Sequence, residues 1–272
     1  MERPEIGKSV ETGAYRTNYL ELGEGFPLIF IHGSGPGVST YANWRLVLPE
    51  VSKVAHCYAP DMIGFGYSDK PTEVKYGMAL WTRQIVDFMD ALGIAQADFV
   101  GNSFGGSLAL SMAIQYPERV RKLVMMGPMG IEFPISYGLN EVWGYQPSYK
   151  NMKKMLTLFC YDKRYATDEL AQTRYKASIE PGFQEAFGIM FPDPRQRSVD
   201  DLSFTDEQIK TVDKPTLIVH GREDLVIPVS NSYRLINLIS DAQLHVFGRC
   251  GHWTQIERSA EFAELVKAFI SR

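Results

Sequence analysis

The 272-residue chain is 45% hydrophobic and 22% charged, an ordinary globular composition that excludes a disordered protein. Twenty-eight basic residues against 32 acidic ones, a formal net charge of −4 and no basic block leave no electrostatic footprint for nucleic acid. No stretch approaches the roughly 18 apolar residues that span a bilayer, and the N-terminal MERPEIGKSVETGAY lacks a signal-peptide core, so a cytoplasmic protein acting on a small molecule is expected.

In chain order, the alternating stretch Ala14 to Leu20 reads as an edge strand pairing antiparallel. Short apolar runs of strand length follow at Leu28 to Ile31, His56 to Ala59, Asp98 to Val100, Leu123 to Met126, Thr216 to Val219 and Gln243 to Phe247. Between them, Leu80, Ile85, Phe88, Met89 and Leu92 share a helical face, as do Phe262, Leu265, Val266, Phe269 and Ile270. This rhythm predicts an α/β fold with a mostly parallel sheet flanked by helices. It breaks between Pro134 and Thr205, where Trp, Tyr, Phe and Met are dense and no strand is evident. The expected organisation is therefore a core of residues 1–133 and 206–272 with a helical cap, residues 134–205, inserted after the sixth strand. Cys57, Cys160 and Cys250 are odd in number and lack a CxxC, which argues against a disulfide framework or a zinc site and for buried, reduced thiols.

Gly101-Asn102-Ser103-Phe104-Gly105 fits G-x-S-x-G in its proper context, a strand entering and a helix from Gly106 to about Gln115 leaving. Such a turn strains the serine and needs small neighbours. A serine hydroxyl needs a base, usually an imidazole held by a carboxylate. His252, in the loop Gly248 to Trp253 past the last strand, is the best placed of five histidines. His32 reads as a loop organiser, His220 as hydrogen-bonded to backbone, and His56 and His245 as strand residues. Asp224 follows the penultimate strand and gives the chain order Ser, Asp, His, with Glu223 as near rival; Asp61 and Asp69 read as braces of an earlier loop. Cys250 has no elbow to present its sulfur. The glycine-rich His32-Gly33-Ser34-Gly35-Pro36-Gly37 suits an oxyanion site better than a phosphate site, because no Lys-Ser or Lys-Thr follows. There the Ser34 amide would pair with the Phe104 amide.

With these segments, and with Ala42 to Arg45, Val142 to Tyr145, Arg174-Tyr175 and His252 to Glu257, nearly the whole chain resembles the meta-cleavage product hydrolases of the α/β-hydrolase superfamily, in particular 2-hydroxymuconate-semialdehyde hydrolases and alkyl-accepting relatives. The resemblance implies an eight-stranded sheet with a lid. It implies cofactor-free hydrolysis of a carbon–carbon bond in a dienol carboxylate from aromatic catabolism, giving 2-hydroxypenta-2,4-dienoate and a small carboxylic acid. Arg174 matches the arginine that clamps the carboxylate, with Gly33, Asn43, Asn102 and Trp253 beside it; without the resemblance it reads as a solvated cap residue. The dienol would take a proton at C5 before the C6 carbonyl is attacked, with Ser103 either forming an acyl-enzyme or assisting water. Leu139, Asn140, Trp143, Phe159, Val199 and Val226 are candidates for the wall beyond C6, with core packing as the alternative for each. A homodimer or larger homo-oligomer without metal is expected. A carboxylesterase of the same fold, or a small-molecule receptor that keeps the triad, remain the rival readings.

Overall fold

The computed structural model describes residues 3–272. Eight strands form one sheet: β1 (Lys8–Thr12), β2 (Tyr15–Leu22), β3 (Pro27–Ile31), β4 (His56–Pro60), β5 (Ala97–Asn102), β6 (Val120–Met126), β7 (Thr216–Gly221) and β8 (Ala242–Phe247). Their order is β1-β2-β4-β3-β5-β6-β7-β8, with β2 antiparallel to both of its neighbours and every pair from β4 to β8 parallel. One expectation needs correcting. The edge is β1, and the 14–20 stretch lies inside it as part of β2, because the exposed, polar KSVET of β1 gives no apolar signal while still covering the sheet edge.

Helices α1 (Thr40–Trp44) and α2 (Leu48–Val51) follow β3, α3 (Met78–Ala91) follows β4, and α4 (Phe104–Gln115) follows β5. Between β6 and β7 the chain runs first through five helices: α5 (Tyr137–Trp143), α6 (Tyr149–Phe159), α7 (Asp168–Ser178), α8 (Phe183–Met190) and α9 (Gln196–Asp201). After them come α10 (Asp206–Ile209), α11 (Ser230–Leu238), α12 (Thr254–Glu257) and α13 (Ser259–Ile270). Successive strand residues point to opposite faces, so Ile29, Ile31, Leu123 and Met125 join one core with α3 and α4. Leu28, Phe30, Val124 and Met126 join a second core with α2 and α13. Burial on both faces explains why the central strands read as continuous apolar runs.

The chain steps from β3 to β4 on one side and then to β5 on the other. That reversal opens a crevice at the carboxyl ends of β3 and β5, where ligands of open α/β sheets bind. Among the described residues, no helix is long and apolar enough to cross a membrane.

Candidate active site

Strand register decides which loops meet. Ile31 pairs with Gly101, so the His32 to Gly37 loop leaves the sheet beside the Asn102–Phe104 turn. His220 pairs with Val246 and Gly221 with Phe247, which sends the Asp224 and His252 loops out side by side. At the turn, Ser103 has φ 53° and ψ −110°, a conformation that costs a non-glycine residue about 1–3 kcal/mol. Two glycines make the turn possible. A Cβ on Gly101 would lie 2.2 Å from the Gly105 carbonyl oxygen, and one on Gly105 would lie 2.3 Å from that of Ile31. The Ser103 amide donates to Met126 O at 2.8 Å, and its carbonyl accepts from Gly106 and Met129, so the strained residue is held from both sides. Phe104 opens α4, where first-turn amides lack an intrahelical acceptor, and its ring packs away against Trp81 and Phe65.

Asp224 is buried and over-determined. Its Oδ1 accepts the amides of Val226 (2.7 Å) and Ile227 (2.9 Å), while its Oδ2 accepts from His252 Nδ1 (2.7 Å) and His220 Nε2 (3.1 Å). Burial pushes the carboxyl up, but the two imidazoles outweigh it and hold the group well below the usual carboxylate range. With Nδ1–H of His252 turned to Asp224, Nε2 is its free nitrogen on the cavity side. Glu223 points elsewhere, accepting from Arg222 (2.9 Å) and the Cys250 amide (3.0 Å). Burial pushes the Cys250 thiol up to about 12, which leaves no thiolate to act as nucleophile near neutral pH. His32 Nε2 accepts the Met62 amide at 3.0 Å and Nδ1 donates to Gly33 O at 2.8 Å, so the ring is neutral; burial lowers its pKa to about 4. Asp61 braces its loop through Thr40 (2.6 Å), Tyr67 (2.7 Å) and Asn18 (2.9 Å).

A cavity lies above Ser103 and His252, between core and cap. Gly33, Ser34, Asn43 and Asn102 line it from the core, Leu139, Phe159 and Arg174 from the cap, and Val226 and Trp253 from the loops after β7 and β8. Phe159 stacks on Trp253 with ring centres 4.7 Å apart. Arg174 is 8% exposed, and its one hydrogen bond among the described residues runs to Pro36 O at 3.2 Å. Burial, then repulsion from Arg45, lowers its pKa to about 10, which still leaves a cation at neutral pH. The amide nitrogens of Asn43 and Asn102 are buried without a partner in the same cavity. A strained serine, an imidazole backed by a carboxylate, and unpaired donors around an enclosed space can carry out nucleophilic or water-assisted hydrolysis.

Three candidates lie off this wall. Asn140 accepts from Arg195 at 3.4 Å on a different face of α5 from Leu139 and Val142, because one helical step turns a side chain by about 100°. Trp143 stands behind the wall, donating to Ser34 Oγ at 3.0 Å and stacking on Phe191. Val199 is fully buried in the core instead.

Residues 27–259 match the family model for the alpha/beta hydrolase fold. The chain is 53% identical over 268 residues to the 2-hydroxymuconate semialdehyde hydrolase of Pseudomonas sp. (strain CF600), covering 98% of this chain and 95% of that protein. It is 51% identical to the 2-hydroxy-6-oxo-2,4-heptadienoate hydrolase of Pseudomonas putida F1, covering 98% and 97%. Its backbone superposes with a TM-score of 0.98, at 55% identity and 99% coverage of both chains, on a serine-to-alanine variant of the meta-cleavage product hydrolase from Pseudomonas fluorescens IP01 (CumD) complexed with acetates. The chain belongs to the meta-cleavage product hydrolases.

This meta-cleavage product hydrolase is a serine-type carbon–carbon bond hydrolase, and several residues shape its site without a recognisable signature in the sequence. Glu257 on α12 is buried and accepts amides from Gly251 (2.7 Å), Tyr161 (3.1 Å) and Asp162 (2.7 Å), tying the His252 loop to the end of cap helix α6. Trp253 N adds a bond to Phe159 O at 3.0 Å. Gln255 lines the cavity with its Oε1 buried and unpartnered. His220 is more than a backbone partner. Its Nε2 faces Ile227 O as well as Asp224, so Nε2 carries the proton and Nδ1 accepts from Ser232 Oγ at 2.6 Å. The one available signal was spacing, since His220 and Asp224 are four residues apart across a turn. Val38, Ala42, Arg45, Val142, Leu170 and Ile256 complete the wall.

Proposed function

We propose that the chain hydrolyses the C5–C6 bond of 2-hydroxy-6-oxo-hexa-2,4-dienoate-type meta-cleavage products, 2-hydroxymuconate semialdehyde or its 6-alkyl analogues. Ser103, His252 and Asp224 carry the chemistry, and the substrate carboxylate sits on Arg174. The observation that carries this reading is Arg174: a buried guanidinium with no ion pair among the described residues, in a cavity where the Asn43 and Asn102 amides also lack partners among those residues. An unpaired buried charge is costly, and an arriving carboxylate offsets that cost with a charge-assisted, fork-shaped pair. Leu139, Val142, Phe159 and Val226 give the wall an apolar stretch that suits the carbon chain and a small C6 group. The names of the two relatives, which specify a semialdehyde and a heptadienoate, support hydrogen or methyl at C6.

The net reaction adds one water across the bond: C5 gains the proton and C6 gains the hydroxyl. The products are 2-hydroxypenta-2,4-dienoate and a small carboxylic acid. After ketonisation with a proton delivered to C5, Ser103 or the water it assists attacks the C6 carbonyl. His252 Nε2 accepts the released proton, and Asp224 steadies the resulting imidazolium. The Ser34 and Phe104 amides stabilise the oxyanion, each worth about 3–4 kcal/mol in sites of this kind. Collapse of the oxyanion breaks C5–C6, and the electron pair leaves on the conjugated dienoate; where Ser103 is the nucleophile, water then hydrolyses the seryl ester and releases the acid. The cap, residues 134–205, supplies Arg174 and the apolar wall and keeps bulk water from the intermediate.

The test is multiple turnover of dienols bearing hydrogen, methyl, longer alkyl or phenyl at C6, followed by loss of dienol absorbance and product analysis. The hydrogen and methyl compounds are expected to give the highest kcat/KM. Better turnover of simple acetate esters than of every dienol would overturn the reading in favour of an esterase. A single slow turnover would favour a receptor.

A further inference from the structure

Arg174 stands on the boundary of the active-site cavity. Beside it lies a second hollow, and Ala42, Arg45, Leu170 and Arg174 belong to the walls of both. This outer hollow runs between the core segment after β3 and cap helix α7. Exposed Thr173 and half-buried Glu5 and Tyr67 form its outer wall, so it opens to solvent.

Its charges are arranged unusually for a structural feature. Arg45 is half-buried, donates from Nη1 to Ala42 O at 2.6 Å, and has no ion pair among the described residues. It stands close enough to Arg174 that, after burial, its repulsion is the next influence on that guanidinium. Two neighbouring cations with no ion pair among the described residues destabilise each other, and packing alone would be met by a neutral side chain of similar length. The carboxylate that acts on Arg174 in the opposite sense is Glu5, across the outer hollow. Arg45 and Arg174 outnumber Glu5 among the charged residues of this hollow, and an excess of one sign in a protein-walled cleft raises the local concentration of the opposite ion.

We propose that the outer hollow is the passage by which the substrate's carboxylate reaches Arg174 and the dienoate leaves, with Arg45 as the steering cation and Glu5 as the opposing charge at the mouth. This inference rests on the reading of Arg174 as the carboxylate site. Arg45 and Arg174 both line the outer hollow and the active-site cavity, so a carboxylate that lies between them relieves their repulsion. Because the reaction turns one carboxylate into two acids, the same passage serves the departure of a charged product.

The experiment is kcat/KM for 2-hydroxymuconate semialdehyde, measured from about 10 mM to about 500 mM salt, a range over which screening shortens from tens of ångströms to a few. Wild-type kcat/KM is expected to fall with salt. Arg45→Gln is expected to lower kcat/KM about tenfold at low salt and to flatten the dependence, whereas Glu5→Gln raises it about twofold at low salt. Thr173→Trp, which obstructs the rim, is expected to lower kcat/KM at every salt concentration. Thr173 is exposed and Glu5 half-buried at the rim, so their variants test the passage even where Arg45→Gln folds poorly. Wild-type values and slope in both Glu5→Gln and Thr173→Trp would overturn the passage, as would an Arg45→Gln loss confined to kcat with an unaltered slope. Arg174→Ala run alongside separates the two claims. If it costs nothing, the carboxylate reading fails and takes the passage with it; if it costs heavily while the other variants are silent, the passage alone fails.

Discussion

The core wall and the cap wall of the active-site cavity are held in place by different physics. On the core side, strand register fixes where Ser103, Asp224 and His252 stand, and hydrogen bonds then lock them: Asp224 alone takes four, and the Ser103 peptide is clamped on both sides. On the cap side, Leu139, Val142, Phe159 and Leu170 contribute shape through van der Waals contact, and their aim depends on how short helices settle on the core. A directional wall loses function when a group moves by an ångström, whereas an apolar wall can be recut to change which substrate fits.

The largest effect is expected on the core wall. Ser103→Ala should reduce kcat by about 10⁴-fold or more while leaving the fold intact, as measured by turnover and circular dichroism. Next comes the seam between the walls. Glu257→Ala removes the acceptor for one buried and two part-buried amides and should cost about 3 kcal/mol in chemical denaturation, with Glu257→Gln losing less. If Glu257→Ala alters activity no more than an equally destabilising change in the second core, the two walls are not coupled through it.

Acid should also attack the core wall first. The folded-state pKa of His32 lies at about 4, below the usual 6.5, so the unfolded chain takes up its proton first. Stability is therefore full above about pH 6.5 and declines as pH falls toward 4, by roughly 3 kcal/mol from this residue. Denaturation midpoints across that range should show the decline, and His32→Gln should flatten it. The smallest effect separates two apolar positions. Leu139→Ala, on the wall, should shift the kcat/KM ratio between 6-alkyl and semialdehyde substrates by about tenfold. Val199→Ala, in the core, should cost about 2 kcal/mol of stability and leave that ratio unchanged. Identical specificity changes in both would erase the distinction.

The same contrast explains what could be read from the sequence. The strand runs and the strand–turn–helix around Ser103 carry their signals locally, in apolar continuity and in glycines that steric crowding demands. The cap residues Asn140, Trp143 and Val199 show the opposite case, since apolar character indicates burial but not which neighbour is met. Asn140 lies one helical step from the wall, and Trp143 reaches Ser34 from behind it. Glu257 was invisible for another reason: the three amides it joins come from segments nearly a hundred residues apart, and no local pattern encodes that meeting. The β1 edge was missed because an exposed polar strand has no apolar signature.

The most direct test of the account compares Arg174→Gln with wild type on two substrates, the dienol carboxylate and an uncharged acetate ester of similar size. If the core wall performs the chemistry and Arg174 selects the carboxylate, kcat/KM for the dienol should fall by about 100-fold or more while that for the ester stays within about threefold. Equal losses on both substrates, or none on the dienol, would contradict it.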